Sequence, residues 1–138
     1  MEENKHYKFG FEKDSQLIHF VELVDKIPIS MPLTILSHGF LISGQLVSSR
    51  VYVEHLIKML DKMSDNTTED KGWSEKIRST AEEVLKAKQA MSSSYLHLED
   101  AKFFHPDRKG IPENNEVVWR GRISEVSGFF FGKLKSEK

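Results

Sequence analysis

The chain has 138 residues, of which 38% are hydrophobic and 30% charged, with a formal net charge of −1 and no cysteine. That length suits one domain with one sizeable core, anchored by nine Phe, two Trp and three Tyr. The absence of cysteine excludes a disulfide scaffold, a thiolate metal site and a cysteine nucleophile, and the near-neutral charge gives no overall pull towards nucleic acid or anionic lipid.

Residues 1–13 read as a mobile arm, with Tyr7, Phe9 and Phe11 as packing points. Met1 to Gly10 is charged and lacks an apolar run of signal-peptide type, and no segment approaches the ~20 apolar residues that span a bilayer. A cytoplasmic protein, with no membrane partner, is therefore expected. Ser15 to Lys26 has helical spacing: Leu17, Phe20, Val21 and Val24 make one face, and Asp14 or Ser15 can cap it. Pro28 and Pro32 end that helix. Leu33 and Ile35, then Phe40, Ile42, Gly44 and Leu46, alternate as two strands of a hairpin turning at His38-Gly39. Gly44 inside a strand points to strong bending or a close backbone approach.

Ser48 and Ser49 can cap a second helix, running to about Met63, with Val53, Leu56, Ile57 and Leu60 at helical spacing. Ser64 to Gly72 is a polar loop, and a third helix spans Ser74 to Met91. Tyr95 to Phe104 is a strand with an irregularity at Glu99-Asp100. Pro106 to Glu116 is a loop, Val117 to Ile123 a strand, Ser124 to Gly128 a tight connection and Phe129 to Leu134 the last strand. This order predicts a single α+β domain over 1–138, with a helical insertion at 61–92 and a polar tail at 135–138. Its small, bent antiparallel sheet would be either open or a partly closed five-stranded barrel of Sm-like kind.

Chemistry-bearing patterns are scarce. The eight glycines are scattered and build no phosphate loop. His97, Asp100, His105 and Asp107 lie close in sequence, but strand alternation directs His97 and Asp100 to opposite faces, unless a bulge intervenes. The clustered serines suit caps and turns. No catalytic residue, metal or cofactor is expected, and the chain does not read as an enzyme.

The C-terminal segment carries the functional signal. From Val117 onward there are five basic residues, Arg120, Arg122, Lys133, Lys135 and Lys138, against Glu125 and Glu137. Trp119 and Phe129 to Phe131 are interleaved with them. Such a mixture resembles single-stranded nucleic-acid sites, so an Sm-like RNA-binding module is the alternative function. Arg120 and Arg122 also alternate with Trp119, Gly121 and Ile123 as on a half-buried strand, arginines outward and Trp119 and Ile123 inward. That pattern makes nucleic acid the weaker reading. Phe129 and Phe131 share one strand face and Phe130 takes the other, so a Phe is displayed beside arginines and a sheet edge. Arg120, Arg122, Phe129, Phe130 and Phe131 are the candidate contact residues for self-association or a protein partner.

The run from Trp119 to Lys133 resembles the end of the gas vesicle accessory protein U (GvpU) family, with its pattern WRG(K/R)I-x-EV-x-GFF-x-GK. Ile42-Ser43-Gly44, then Val47-Ser48-Ser49 and a Tyr-containing helix, is similar to the family's first half, and His97 to Lys102 to a third block. The resemblance implies a cytoplasmic accessory protein associated with gas vesicles rather than their main shell subunit. Its partners would be the vesicle shell or other gas vesicle proteins, its role vesicle assembly or clustering, and its form a homo-oligomer. No catalytic residues come with the resemblance.

Overall fold

The computed structural model describes residues 13–65, 75–80, 82–83, 94–105, 110–112 and 117–135. The first element, α1 (Ser15–Lys26), has the predicted bounds. Asp14 is its N-cap, the carboxylate accepting from the N–H groups of Gln16 at 2.9 Å and Leu17 at 3.3 Å. Leu17, Val21 and Val24 are buried. Lys26 lies in the last turn, where the helix dipole favours a cation. Ile27, extended as residues before proline tend to be, ends the helix.

The hairpin comes next as β1 (Met31–Ser37) and β2 (Phe40–Val47). His38 and Gly39 both have positive φ, at 51° and 80°, the requirement of a two-residue turn whose twist matches the strands. α2 (Ser49–Asp65) begins where Ser48 Oγ accepts from Val51 N–H at 3.1 Å. The Asp25 carboxylate accepts from Ser49 N–H at 3.0 Å, which ties the end of α1 to the start of α2. The predicted third helix is present at 75–80 and 82–83. The rest of it, the N-terminal arm up to residue 12, the polar loop beyond 65, most of Pro106 to Glu116 and the tail from 136 lie outside the described residues.

β3 (Tyr95–Phe104), β4 (Trp119–Arg122) and β5 (Gly128–Phe131) complete one antiparallel sheet of order β4-β3-β2-β1-β5. The sheet is open, so the Sm-like closure weighed from the sequence is not formed. β4 and β5 are its two edges. Both are shorter than the pattern suggested: β4 begins only at Trp119 and stops where Ile123 enters a 3-10 turn (Ile123–Glu125), and β5 stops where Gly132 turns away from the sheet.

Between the pairs Ser43–Lys102 and Gln45–Glu99 the register shifts, so Asp100 and Ala101 stand against the single residue Gly44. This is a β-bulge, with Asp100 at φ 51°. A Cβ on Gly44 would lie 2.8 Å from the Glu99 carbonyl oxygen. Bulges raise local twist and bend, and the connection after β4 requires a bend. Flat, the edge strands of five would stand about 19 Å apart. The chain from Arg122 to Gly128 passes through a 3-10 turn and reaches about 16 Å.

α1 covers one face of this bent sheet. Leu17, Val21 and Val24 pack with Leu33, Ile35, Ile42, Leu46, Leu96, Leu98, Ala101 and Ile123. On β3 the alternate residues serve α2: the His97 ring lies 4.5 Å from that of Tyr52, and His55 Nε2 is 2.7 Å from Glu99.

Gly44→Ala forces a Cβ against backbone that cannot step aside, and should cost about 1–3 kcal/mol. Gly128→Ala, with nothing within 4 Å of the new Cβ, should stay within about 0.5 kcal/mol. Urea unfolding of the two variants beside the parent chain measures both.

Candidate functional site

Strand pairing divides the five candidate contact residues. Arg120 and Arg122 lie on β4, and Phe129 to Phe131 on β5. The expectation that a displayed Phe stands beside the arginines is therefore corrected: the two groups occupy opposite edges of the sheet. β5 adds to β1, with Phe131 opposite Leu33, Phe130 opposite Thr34 and Phe129 opposite Ile35. Hydrogen bonding to a strand nearly a hundred residues earlier in the chain decides this placement.

At the β4 edge, Trp119 folds back along its own strand. A Cβ on Gly121 would meet the Trp119 ring at 2.1 Å, so a residue without a side chain is needed there. The ring thereby joins the core side, with Ile123 fully buried behind it. Arg120 and Arg122 point outward and are exposed, as the alternation predicts. The Arg120 guanidinium carbon sits 3.7 Å from the centre of the Tyr95 ring, a cation–π contact within the chain.

At the β5 edge, Phe129 and Phe131 share the α1 face. Phe20 of α1 meets Phe131 edge-on at 4.8 Å, and Phe129 at 6.5 Å. Phe129 packs against the core, whereas Phe130 is 47% and Phe131 51% exposed. The alternation alone would bury both residues on the core face. Phe131 stays exposed because β5 is an edge strand and ends at that residue. Two large aromatic side chains are thus displayed, one on each face of a single edge.

The residues after β5 fix it in place. Gly132 has φ +125°, a conformation that L side chains rarely adopt, and there the chain leaves the edge to run across β1 and β2. The buried Thr34 hydroxyl donates to the Gly132 carbonyl at 2.7 Å and lies 3.0 Å from Ser43 Oγ. A hydroxyl has one proton, so the Ser43 hydroxyl supplies the proton between the two. Ser43 Oγ also accepts from Leu134 N–H at 2.8 Å. Lys133 Nζ reaches Asp100 at 2.8 Å on β3, where the bulge aims that carboxylate. Residues 132–134 therefore form a strap over the sheet face opposite α1. The connection before β5 is held as well: Ser37 Oγ donates to the Glu125 carbonyl at 2.9 Å, and His38 lies 3.1 Å from the Glu125 carboxylate.

The other polar residues weighed from the sequence are placed separately. His97 is buried against Tyr52, and Asp100 is paired with Lys133. His105 has its ring 5.7 Å from Phe40, and Asp107 lies outside the described residues. Among the described residues no three His, Asp or Glu side chains are grouped to hold a metal ion. Also among them, no helix is long and apolar enough to cross a membrane.

The strap bonds differ in worth. Thr34 is fully buried, so Thr34→Val strands the Gly132 carbonyl and should cost about 1–3 kcal/mol. The Lys133–Asp100 pair is partly exposed, so Lys133→Ala should cost about 1 kcal/mol or less. Denaturant midpoints of the two variants check that order.

A family model described as Gas vesicle protein GvpU-like matches residues 14–134, from the N-cap of α1 to the end of the strap. No curated protein and no solved structure matches the chain.

Proposed function

This chain belongs to the GvpU-like gas vesicle protein family, and from that premise we propose that it is a cytoplasmic, non-enzymatic accessory protein that contacts gas vesicles through β5 and also associates with itself. The observation that carries the reading is the exposure of Phe130 and Phe131 on an edge strand held from both sides. The Ser37–Glu125 bond secures the chain before the strand, and the strap secures it after. Rigidly presented aromatic side chains bury much area on contact at little cost in ordering. Arg120 and Arg122 add a charged surface at the other edge, and arginine is enriched at interfaces between proteins.

An adaptor of this kind needs no strong single contact. Copies that hold a vesicle and also hold one another act by effective concentration, so weak links add into stable clustering or ordered assembly. The shell or another gas vesicle protein is the partner this reading assigns to the Phe face.

Phe130→Asp with Phe131→Asp should lower co-sedimentation of the protein with purified gas vesicles by about tenfold, the scale of losing an aromatic anchor. Far-ultraviolet circular dichroism should stay at the parent spectrum, because neither side chain is buried. Unchanged co-sedimentation by the folded double variant would remove β5 from the contact.

A further inference from the structure

We propose that copies of this chain join head to tail, the β4 edge of one continuing the sheet through the β5 edge of the next. The inference rests on the self-association in the functional reading and supplies the surface through which it occurs.

The phase of the two edge ladders carries the argument. Ile123 N–H donates to the Ser94 carbonyl at 2.9 Å, with Tyr95 opposite Arg122 and His97 opposite Arg120. In an antiparallel ladder, hydrogen-bonded and non-bonded pairs alternate. Arg122 and Arg120 therefore fall in the non-bonded pairs and direct their N–H and C=O groups away from β3. Gly132 N–H donates to the Pro32 carbonyl at 2.9 Å, which sets the same phase on the other side. Phe131 and Phe129, opposite Leu33 and Ile35, direct theirs away from β1. Among the described residues each edge pairs with one strand only. Each is four residues long and each offers two outward residues, so one edge can satisfy the other.

Charge disfavours one of the like-edge junctions. β4 against a second β4 would bring Arg120 and Arg122 of two copies side by side, and like charges across a ladder are unfavourable. β5 is Gly128, Phe129, Phe130 and Phe131, with no charge, so it accepts β4 without that penalty. A junction between unlike edges leaves one of each free at the ends, and such an assembly grows into a ring or a filament. Four-residue junctions are individually weak, so growth depends on concentration, which a vesicle surface raises. Side chains stand roughly perpendicular to the sheet, so backbone pairing leaves Phe130 on a face, free to meet another surface.

Two edge-blocked variants test this. Arg122 has φ −79°, which proline accepts, and Arg122→Pro removes an outward N–H without taking one from β3. Phe131→Pro does the same on β5. Light scattering across a concentration series should show assembly by the parent chain. Each variant alone should stay at the 15.9 kDa monomer mass. An equimolar mixture should give a one-to-one dimer, because each variant supplies the edge the other has lost. Assembly by either variant alone, or no dimer from the mixture, would overturn the proposal, as would a parent chain that stays monomeric throughout.

Amide hydrogen exchange on the parent chain gives an answer that needs no substitution. The amides of Arg120, Arg122, Phe129 and Phe131 should slow by about tenfold or more from dilute to concentrated solution. Fast exchange at those four sites in an assembled sample would contradict edge pairing. Vesicle co-sedimentation of the parent chain reads the functional proposal separately: its loss counts against vesicle contact, while assembly by blocked variants counts only against the junction.

Discussion

Asp100 and Ala101 of β3 share the space opposite Gly44 of β2, and Gly44 approaches the Glu99 carbonyl too closely for any side chain. Three features depend on that contact. The extra residue bends the sheet, which lets a short connection carry the chain from β4 to the opposite edge. It turns Asp100 into the left-handed region and aims its carboxylate at Lys133. It also shifts the register so that His97 and Glu99 face α2, where Tyr52 and His55 meet them. The bulge thus links the core to the strap that holds β5.

The family pattern at the C-terminus gains a physical reading from these placements. Trp119 and Gly121 are one unit, a ring and the gap it fills. Ile123 is core, and the Glu125 carbonyl is an anchor for Ser37. Gly132 permits the exit from β5, and Lys133 closes on Asp100. These roles keep an edge strand in place. Phe130 is the large apolar member of the pattern whose side chain stays largely in solvent, and Phe131, at the pattern's variable position, is as exposed, so the proposed contact surface is placed on these two.

Much of the fold was readable from local signals. α1 declares itself through helical spacing and the Asp14 cap, the hairpin through His38-Gly39, and the bulge through Gly44 with Glu99-Asp100. The lengths of β4 and β5 were less so, because Ile123 and Gly132 leave the sheet by backbone choices that an apolar pattern does not encode. The position of the candidate site was the least accessible. Arg122 and Phe129 are close in sequence, yet β4 pairs with β3 and β5 with β1. Strand order is a long-range choice, and neither segment carries its partner's identity in its own alternation. The exposure of Phe131 comes from that order too, since at the end of an edge strand no further strand lies beyond it to cover the ring. The partnership of His55 with Glu99 was likewise invisible, because it joins a helix to a strand across the helical insertion.

The proposed function turns on vesicle contact through the displayed face of β5. Site-directed photo-crosslinking tests it most directly: a photoreactive amino acid replaces Phe130 in one sample and Arg78, in the helical stretch 75–80, in another, and each is irradiated with purified gas vesicles. Contact through β5 predicts covalent adducts between the chain and a vesicle protein from position 130 and none from position 78. Adducts from position 78 with none from position 130 would contradict it.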